Sequence, residues 1–360
     1  MYSTFRSLLF KLEPETAHGL TLALVRAAGI LPPTRWLLSR MFAAPLKPVQ
    51  AFGLTFKNPV GLAAGYDKDG IAIWGLAALG FGHIEIGTIT PRPQPGNPQP
   101  RVFRLVEDEA VINRMGFPSR GSEYVQMRLN PLLKRGFQEW LIGIPMRKKP
   151  AVQKRFNAIL GINLGKNKET PNEQAVFDYL ALLQSFAPLA DYLTINVSSP
   201  NTQGLRSLQG RDALLALLSQ LNEQRLLEQK RWEKPLPLLV KLAPDLSEKE
   251  LDEAVDVILD TGMDGIIATN TTLARDGLSA GPAAHQSGGL SGKPLAALSD
   301  AFLARVVTRV AGRMPVVGVG GIMDAAAAKR KLELGATLVQ IYTGLIYAGP
   351  GLVKEIVTKI

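Results

Sequence analysis

The feature that most constrains the fold is an alternation of short β-rich runs with helical stretches, repeated along the chain after Pro48. Eight runs have the composition of buried parallel strands: Pro59–Ala63, His83–Gly87, Ile159–Asn163, Tyr192–Asn196, Leu236–Lys241, Gly265–Thr269, Pro315–Val319 and Thr337–Ile341. Eight β/α units are what a closed parallel barrel requires. The alternation therefore predicts an α/β fold, a (β/α)8 TIM barrel over residues 49–360. A doubly wound sheet is the alternative, but Gly61–Gly65 lacks the Gly-x-Gly-x-x-Gly turn expected after its first strand.

Residues 1–48 lie outside this alternation and predict a small N-terminal helical domain. Within the barrel, the predicted helices are Asn172–Phe186, Asp212–Glu228, Ser247–Thr261, Leu298–Val310 and Asp324–Leu334. Ser247 and Glu250 have the spacing of a capping box, and Asp324 precedes an alanine run. Two stretches interrupt the pattern. Residues 89–112, with five prolines between Pro91 and Pro100, predict a long loop or small hairpin over the barrel mouth, and residues 119–160 predict a helix plus an insertion.

Composition removes several kinds of chemistry. Cysteine is absent, which excludes disulfides, thiolate zinc sites, iron–sulfur clusters and a cysteine nucleophile or base. Histidine occurs only at His18, His83 and His285, far apart in the sequence, so no metal site is expected. Redox chemistry in this chain would therefore need an organic cofactor.

The net charge of +10 is concentrated in two segments. Residues 1–50 carry 6 basic and 2 acidic groups, residues 119–160 carry 9 and 2, and the rest of the chain is close to neutral. Both segments interleave basic with aromatic and aliphatic residues, a pattern that favours an anionic lipid surface over a nucleic acid. The simpler alternative is a pair of helices covering one end of the barrel and a solvated basic loop.

No run of residues is long and apolar enough to span a bilayer; the longest uncharged run that is apolar throughout, Ile71–Gly82, has 12 residues. The first twenty residues contain Lys11, Glu13 and Pro14 and lack a small-residue cleavage site, so they do not resemble a secretory signal. The expected location is therefore the cytoplasm.

Polar residues follow all eight predicted strands, at the end where barrels of this kind place their active sites. Glycine turns after strands seven and eight, Gly320-Gly321 and Thr343-Gly344, occupy the usual phosphate position of the fold. The rim is also rich in amides, which suits a flat heterocycle with imide edges. Paired carboxylates are missing there, which leaves a hydroxyl of Ser198 or Ser199 as the candidate base on strand four.

Ten sequence strings together resemble the quinone-dependent (class 2) dihydroorotate dehydrogenases. They are GLTFKNPVGLAAGYDKDG (53–70), EIGTITPRPQPGNPQPR (85–101), INRMGF (112–117), GINLGKNK (161–168), INVSSPNTQGLRSLQ (195–209), VKLAPDLS (240–247), ATNTT (268–272), GGLSGKPL (288–295), VGVGGI (317–322) and VQIYTG (339–344). The resemblance covers nearly the whole chain. It implies a flavoprotein oxidoreductase of pyrimidine biosynthesis, in which FMN accepts a hydride from dihydroorotate and a membrane quinone accepts the electrons.

The resemblance also implies roles for individual residues. Ser199 matches the family's catalytic base, and Lys241 would place positive charge near the flavin N1/O2 edge. FMN contacts map to Ala64, Gly65, Tyr66, Asp67, Lys68, Thr88, Asn163, Asn196, Lys241, Thr269, Gly292, Gly321, Tyr342 and Thr343. Substrate contacts map to Lys68, Asn113, Arg114, Met115, Gly116, Phe117, Asn196, Asn201, Asn270 and Thr271. The quinone tunnel maps to His18, Arg104 and Tyr342, although a helix-surface position is the alternative for His18.

The implied partners are dihydroorotate and orotate, a membrane quinone and an anionic membrane surface, with no nucleic acid. The implied location is peripheral, on the cytoplasmic face of the cell membrane, with residues 1–48 as the docking and tunnel domain. Residues 119–160 depart from the family pattern: Phe137–Lys149 aligns with no part of it. Two other functions stay open from the residues alone, a flavin-free phosphosugar isomerase or lyase barrel and a non-enzymatic basic adaptor that binds membranes.

Overall fold

The structure, a computed structural model, describes residues 2–133, 157–279 and 281–360. Eight parallel strands close into a barrel, in the order β3, β4, β7, β8, β9, β10, β12 and β13 and back to β3. Their bounds are β3 Val60–Leu62, β4 His83–Ile89, β7 Ile159–Leu164, β8 Tyr192–Asn196, β9 Leu238–Leu242, β10 Gly265–Ala268, β12 Val316–Val319 and β13 Leu338–Ile341. Each predicted run overlaps one of these strands, so the predicted (β/α)8 barrel is confirmed. All residues of β4, β7, β8 and β9 are buried, as expected for strands covered on both sides.

Helices surround the barrel. Within the described residues, the helices that follow residue 48 are α4 Ile73–Ala78, α5 Ser122–Leu133, α6 Ala175–Phe186, α7 Arg211–Trp232, α8 Glu248–Asp260, α9 Ala296–Val310, α10 Ala325–Glu333, α11 Thr343–Ala348 and α12 Leu352–Lys359. The start signals act as predicted. Ser247 and Glu250 form a reciprocal capping box on α8, and the Asp324 carboxylate accepts a 2.8 Å bond from Ala327 N at the start of α10.

Three helices precede the barrel: α1 Tyr2–Leu9, α2 Pro14–Ile30 and α3 Pro32–Met41. Helix α2 packs directly against α4, because both helices have a glycine at the crossing. A Cβ on Gly29 would lie 2.2 Å from Gly75 N, and one on Gly75 would lie 2.0 Å from Val25 O. The two backbones can approach this closely only without side chains there, which fixes α2 beside the barrel wall.

A short hairpin that was not predicted closes the amino end of the barrel. Its strands, β1 Val49–Ala51 and β2 Leu54–Phe56, pair antiparallel. The rings of Phe52 and Phe56 pack edge-to-face at 6.2 Å, and Phe56 contacts the ring of His83 at 5.3 Å. This plug excludes solvent from the amino end and leaves the carboxyl end as the open one.

A small antiparallel sheet covers part of the carboxyl end. The proline-rich stretch contains the expected hairpin, β5 Val102–Leu105 and β6 Ala110–Asn113, and a third strand, β11 Gly289–Gly292, pairs with β6. Of the basic segment 119–160, residues 134–156, and with them Phe137–Lys149, lie outside the described residues. No helix of the described ranges is both long and apolar enough to cross a bilayer.

Candidate active site

A cavity opens at the carboxyl end of the barrel, where the strand-end residues converge. Nearly all of the predicted flavin and substrate residues line it: Ala64, Gly65, Lys68, Thr88, Asn113, Met115, Gly116, Phe117, Asn196, Ser199, Asn201, Lys241, Thr269, Asn270, Thr271, Gly292, Gly321, Tyr342 and Thr343. These residues come from seven of the eight β/α units and from the small sheet; the unit that begins with β7 contributes none. The barrel topology therefore brings together side chains that are almost 280 positions apart in the sequence.

An amide network lies along one wall of the cavity. The Thr88 hydroxyl donates to Asn163 Oδ1 at 2.5 Å, and Asn196 Nδ2 donates to the same oxygen at 2.9 Å. Asn163 Nδ2 in turn donates to Glu85 Oε1 at 2.8 Å. Because all of these groups are buried, their hydrogen bonds fix which amide face points into the cavity.

The structure separates the two serines that the sequence left as candidates. Ser198 Oγ is fully buried, donates to Asn196 Oδ1 at 3.0 Å and accepts a 2.9 Å bond from Asn270 Nδ2. Ser199 lines the cavity, and its Oγ accepts a 3.2 Å bond from Asn201 N. Neither a histidine nor a carboxylate of the described ranges is hydrogen-bonded to Ser199, so a base at this position works without the relay of a catalytic triad.

Two lysines bring positive charge to the cavity. Burial lowers the pKa of Lys241, and the Glu85 carboxylate opposes that shift. Within the described ranges, Lys241 makes no hydrogen bond, so its ammonium group is available to a ligand. Burial also lowers the pKa of Lys68 to about 8, while its Nζ donates to Gly65 O at 2.5 Å. A buried cation that lacks hydrogen-bond partners is costly unless an anionic or electron-rich ligand satisfies it.

Backbone dominates the opposite wall, after β12 and β13. Gly320 and Gly321 have φ values of +108° and +69°, and a Cβ on Gly321 would lie 2.3 Å from Ala296 Cα. Gly292, with φ +98°, would place a Cβ 2.3 Å from Glu109 O. Only glycine fits these positions, and bare N–H groups there suit an anion such as a phosphate.

A second cavity adjoins the first, between the N-terminal helices and the barrel. His18, Tyr66, Arg104 and Tyr342 line it, together with apolar residues of α1 and α2. The rings of His18 and Tyr66 pack edge-to-face at 4.9 Å, and those of Tyr66 and Tyr342 at 5.8 Å. Burial lowers the pKa of His18 to about 4, which keeps the imidazole neutral at physiological pH.

Arg104 is tied to the end of α1. Its guanidinium donates to Leu9 O at 3.4 Å and to Leu12 O, and it lies 4.7 Å from the centre of the Phe10 ring. The predicted tunnel residues His18, Arg104 and Tyr342 are thus brought together around one cavity, and Tyr342 also lines the first one.

Four of the predicted flavin and substrate residues do not line the first cavity. Tyr66 faces the second cavity, and Asn163 lies behind Thr88 and Asn196. The Asp67 carboxylate accepts 2.8 Å bonds from the backbone of Ile71 and Ala72 and so orders the chain before α4. The Arg114 side chain turns away from the cavity and donates to Gln286 and Pro100 O at 2.8 and 2.9 Å.

Sequence reasoning missed the polar residues directly beneath the cavity. Glu85 is fully buried inside the barrel and accepts from Asn163, from Tyr192 Oη at 3.1 Å and from Gln340 Nε2 at 2.9 Å. The available signal was a carboxylate in the middle of the predicted buried strand His83–Gly87, since such residues are almost never buried without partners.

The fold and the cavity define an α/β barrel with a ligand site at the carboxyl end and a second apolar cavity beside it. A sequence model of the family described as Dihydroorotate dehydrogenase matches residues 47–360. The chain belongs to the dihydroorotate dehydrogenase family.

Full-length relatives support that assignment. The chain is 49% identical to a protein of Anaeromyxobacter sp. (strain Fw109-5), over 99% of this chain and 91% of the relative, and 47% identical to one of Azotobacter vinelandii, over 100% and 96%. Both relatives are named Dihydroorotate dehydrogenase (quinone). The DHODH of Eimeria tenella, solved in complex with ferulenol, superposes with a TM-score of 0.83 at 37% identity, over 96% of this chain and 90% of that one.

Membership in this family implies a flavin cofactor, and the cavity fits one. Lys241 would place a cation at the electron-rich edge of the ring, the Asn196 amide would face its polar edge, and the glycine backbone near 320 suits a phosphate.

Proposed function

We propose that this protein oxidises dihydroorotate to orotate, with FMN as the hydride acceptor and a membrane quinone as the final electron acceptor. The observation that carries the proposal is the cavity pair: a polar cavity lined by Ser199 and by the amides of strand ends, joined to an apolar cavity through shared residues. Family membership supports the same reaction. Orotate production is a step of pyrimidine biosynthesis.

The substrate would bind between Ser199 and the segment 113–117. Asn201 Nδ2 donates to Asn113 Oδ1 at 3.2 Å, which leaves amide groups of both residues to contact imide edges of a pyrimidine ring. Asn270 and Thr271 complete this polar surface, with Asn270 Oδ1 already accepting from Thr271 N at 2.7 Å. Lys68 would pair with the carboxylate of the substrate.

Oxidation removes a hydride from C6 and a proton from C5 of dihydroorotate, and FMN supplies the hydride-accepting ring when bound. Ser199 Oγ would accept the C5 proton. Lys241 would hold positive charge where negative charge develops on the ring, so its contribution is largest in the transition state. The side chains of the small sheet and of Tyr342 would exclude water from the reacting face.

The test is anaerobic reduction of the yellow, flavin-loaded protein by dihydroorotate. Ser199→Ala should slow bleaching by about 10² to 10⁴, the range for loss of a general base, while flavin and orotate still bind. Ser198→Ala is the matched control and should lose less than tenfold, because Ser198 Oγ is buried and bonded within the wall. Equal losses in the two variants would remove Ser199 from the mechanism.

The N-terminal helices would bring the second cavity to the membrane surface. They expose apolar side chains, including Leu8 (60%), Trp36 (63%) and Leu37 (52%), and α1 and α2 line the cavity. Arg6, Arg35 and Arg40 lie on the same helices, where each cation near an anionic surface contributes about 1 kcal/mol. The location is therefore proposed to be peripheral, on the cytoplasmic face of the cell membrane.

Sedimentation with anionic phosphatidylglycerol vesicles tests this placement. Trp36→Ser with Leu37→Ser should reduce vesicle binding and activity with a long-tailed quinone, but not activity with a soluble dye. The control is Leu226→Ser with Leu227→Ser, which removes two equally exposed leucines from α7 on the outer ring. Equal effects of the two pairs would contradict docking through the N-terminal helices.

A further inference from the structure

A charged pair joins the N-terminal helices to the loop over the active site. Glu15, in the first turn of α2, accepts hydrogen bonds from Arg101 Nε at 3.1 and 3.2 Å and from Arg101 Nη2 at 2.6 Å. Arg101 is 9% exposed, so the guanidinium is largely withdrawn from water. A bidentate pair of this kind fixes both the position and the plane of the arginine.

The other side of the same guanidinium holds a loop. Arg101 Nη1 donates to Pro95 O at 2.6 Å and to Asn97 O at 2.9 Å. The guanidinium therefore divides its donors between one carboxylate of the N-terminal helices and two carbonyls of the proline-rich loop. The guanidinium cannot rotate towards one set of partners without losing its hydrogen bonds to the other set.

Asn97 carries this constraint to the substrate cavity. Its Nδ2 donates to Arg114 O at 2.9 Å and to Asn201 O at 3.1 Å, and its backbone N donates to Met115 O at 2.9 Å. The contact is close, because a Cβ on Gly116 would lie 2.6 Å from Asn97 Nδ2. Met115, Gly116 and Asn201 all line the first cavity.

We propose that Glu15 is a positioning residue for the substrate cavity, acting through Arg101 and Asn97 on the segment 113–117 and on Asn201. The N-terminal helices would then contribute to substrate binding as well as to the second cavity. Glu15 also supplies negative charge near Lys68, where Arg101 supplies positive charge, so neutralising Glu15 leaves two cations facing each other. The proposal rests on the proposed function, because orotate is the ligand used to measure it.

The experiment measures orotate affinity of the flavin-loaded protein from the change in flavin absorbance on titration, alongside steady-state KM and kcat with a soluble dye acceptor. Glu15→Gln should raise the orotate Kd and the dihydroorotate KM about tenfold and change kcat less than threefold. Glu15→Asp, which keeps the charge, should recover most of the affinity. Asp256→Asn is the matched control: it removes a carboxylate bonded to Arg309 Nε and Nη2 on the outer helices, and it should leave the orotate Kd unchanged.

Each outcome decides a different point. An orotate Kd of Glu15→Gln within twofold of wild type overturns the proposal, even if the quinone KM changes, because Glu15 would then serve the second cavity alone. Equal losses in Glu15→Gln and Asp256→Asn overturn it as well. If Glu15→Gln does not fold, Asn97→Ala replaces it, and an unchanged orotate Kd there refutes the relay. Failure of the wild-type protein to bind orotate refutes the proposed function instead.

Discussion

The buried carboxylate of Glu85 offers a quantitative test of how the floor of the active site is held together. Three neutral donors converge on it, Asn163 Nδ2 on one oxygen and Tyr192 Oη and Gln340 Nε2 on the other. It is also the charge that opposes the burial-driven lowering of the Lys241 pKa. Glu85→Gln keeps the shape, replaces one acceptor oxygen by an NH2 donor and removes the counter-charge of Lys241.

The size of the loss follows from those contacts. Losing one or two hydrogen bonds to a charged acceptor costs about 1.5 to 3 kcal/mol each, and removing the Glu85 charge also takes away the carboxylate that favours the charged form of the buried Lys241. Because the two effects overlap, we expect Glu85→Gln to lower the free energy of unfolding by about 3 to 5 kcal/mol. Adding Lys241→Met removes the uncompensated cation, so the double variant should be about 2 kcal/mol more stable than the sum of the single losses predicts.

Reversible urea unfolding of the flavin-free protein, followed by tryptophan fluorescence, measures all four members of the cycle without the mass-action contribution of the cofactor. Lys331→Met is the control partner, because Lys331 is equally buried but pairs with Asp300 at 2.7 Å, and its effect should add to that of Glu85→Gln. Additivity of Glu85→Gln with Lys241→Met to within about 0.5 kcal/mol would refute the coupling.

Two pH dependences complete the predictions. With the pKa of Lys68 at about 8, its cation is present below that pH and lost above it. We therefore expect kcat/KM for dihydroorotate to fall about tenfold per pH unit above pH 8. The same fall in kcat/KM above pH 8 in the Lys68→Gln variant would contradict this assignment. Burial raises the pKa of Asp191 from 3.8 to about 6, so the folded state holds this proton more tightly than the unfolded state does. The contribution of the Asp191 proton to the free energy of unfolding is therefore fully present below pH 4 and is lost as the pH rises through 6. Denaturant titrations should therefore show wild type losing about 2 to 3 kcal/mol relative to Asp191→Asn between pH 4 and 7, whereas parallel curves would show that Asp191 does not titrate there.

The barrel could be predicted because its strands leave a local signature. A strand buried on both faces, such as Ile159–Leu164, must be apolar almost throughout, and each one ends in the polar residues of the open end. The helix start at Ser247 is equally local, since both partners of the capping box are within four residues. The hairpin with Phe52 and Phe56 could not be found this way, because its strands have three residues each and owe their stability to rings across the barrel.

The sequence could predict which residues lie near the active-site cavity, but not which of their side chains point into it. Motif resemblance located the residues at the strand ends, and it did not distinguish Asp67 or Arg114, whose side chains bond backbone and surface groups outside the cavity. The supporting contacts join residues far apart in sequence: Glu85 with Gln340, and Glu15 with Arg101. A hydrogen bond between residues 86 or 255 positions apart has no spacing rule, so only the folded chain reveals it.

The two cavities explain why the barrel needs the helices that precede it. The barrel is plugged at its amino end, so both ligands of the proposed electron transfer would approach from the carboxyl end. Five residues line both cavities, Lys68, Asn113, Met115, Ser291 and Tyr342, so a single layer of side chains separates them. An apolar path for the second ligand, leading to these five shared residues, needs walls that the eight β/α units do not provide. Helices α1 and α2 provide these walls. Because Glu15 of α2 also bonds to Arg101, removing the N-terminal helices would disturb the polar cavity as well as the apolar one.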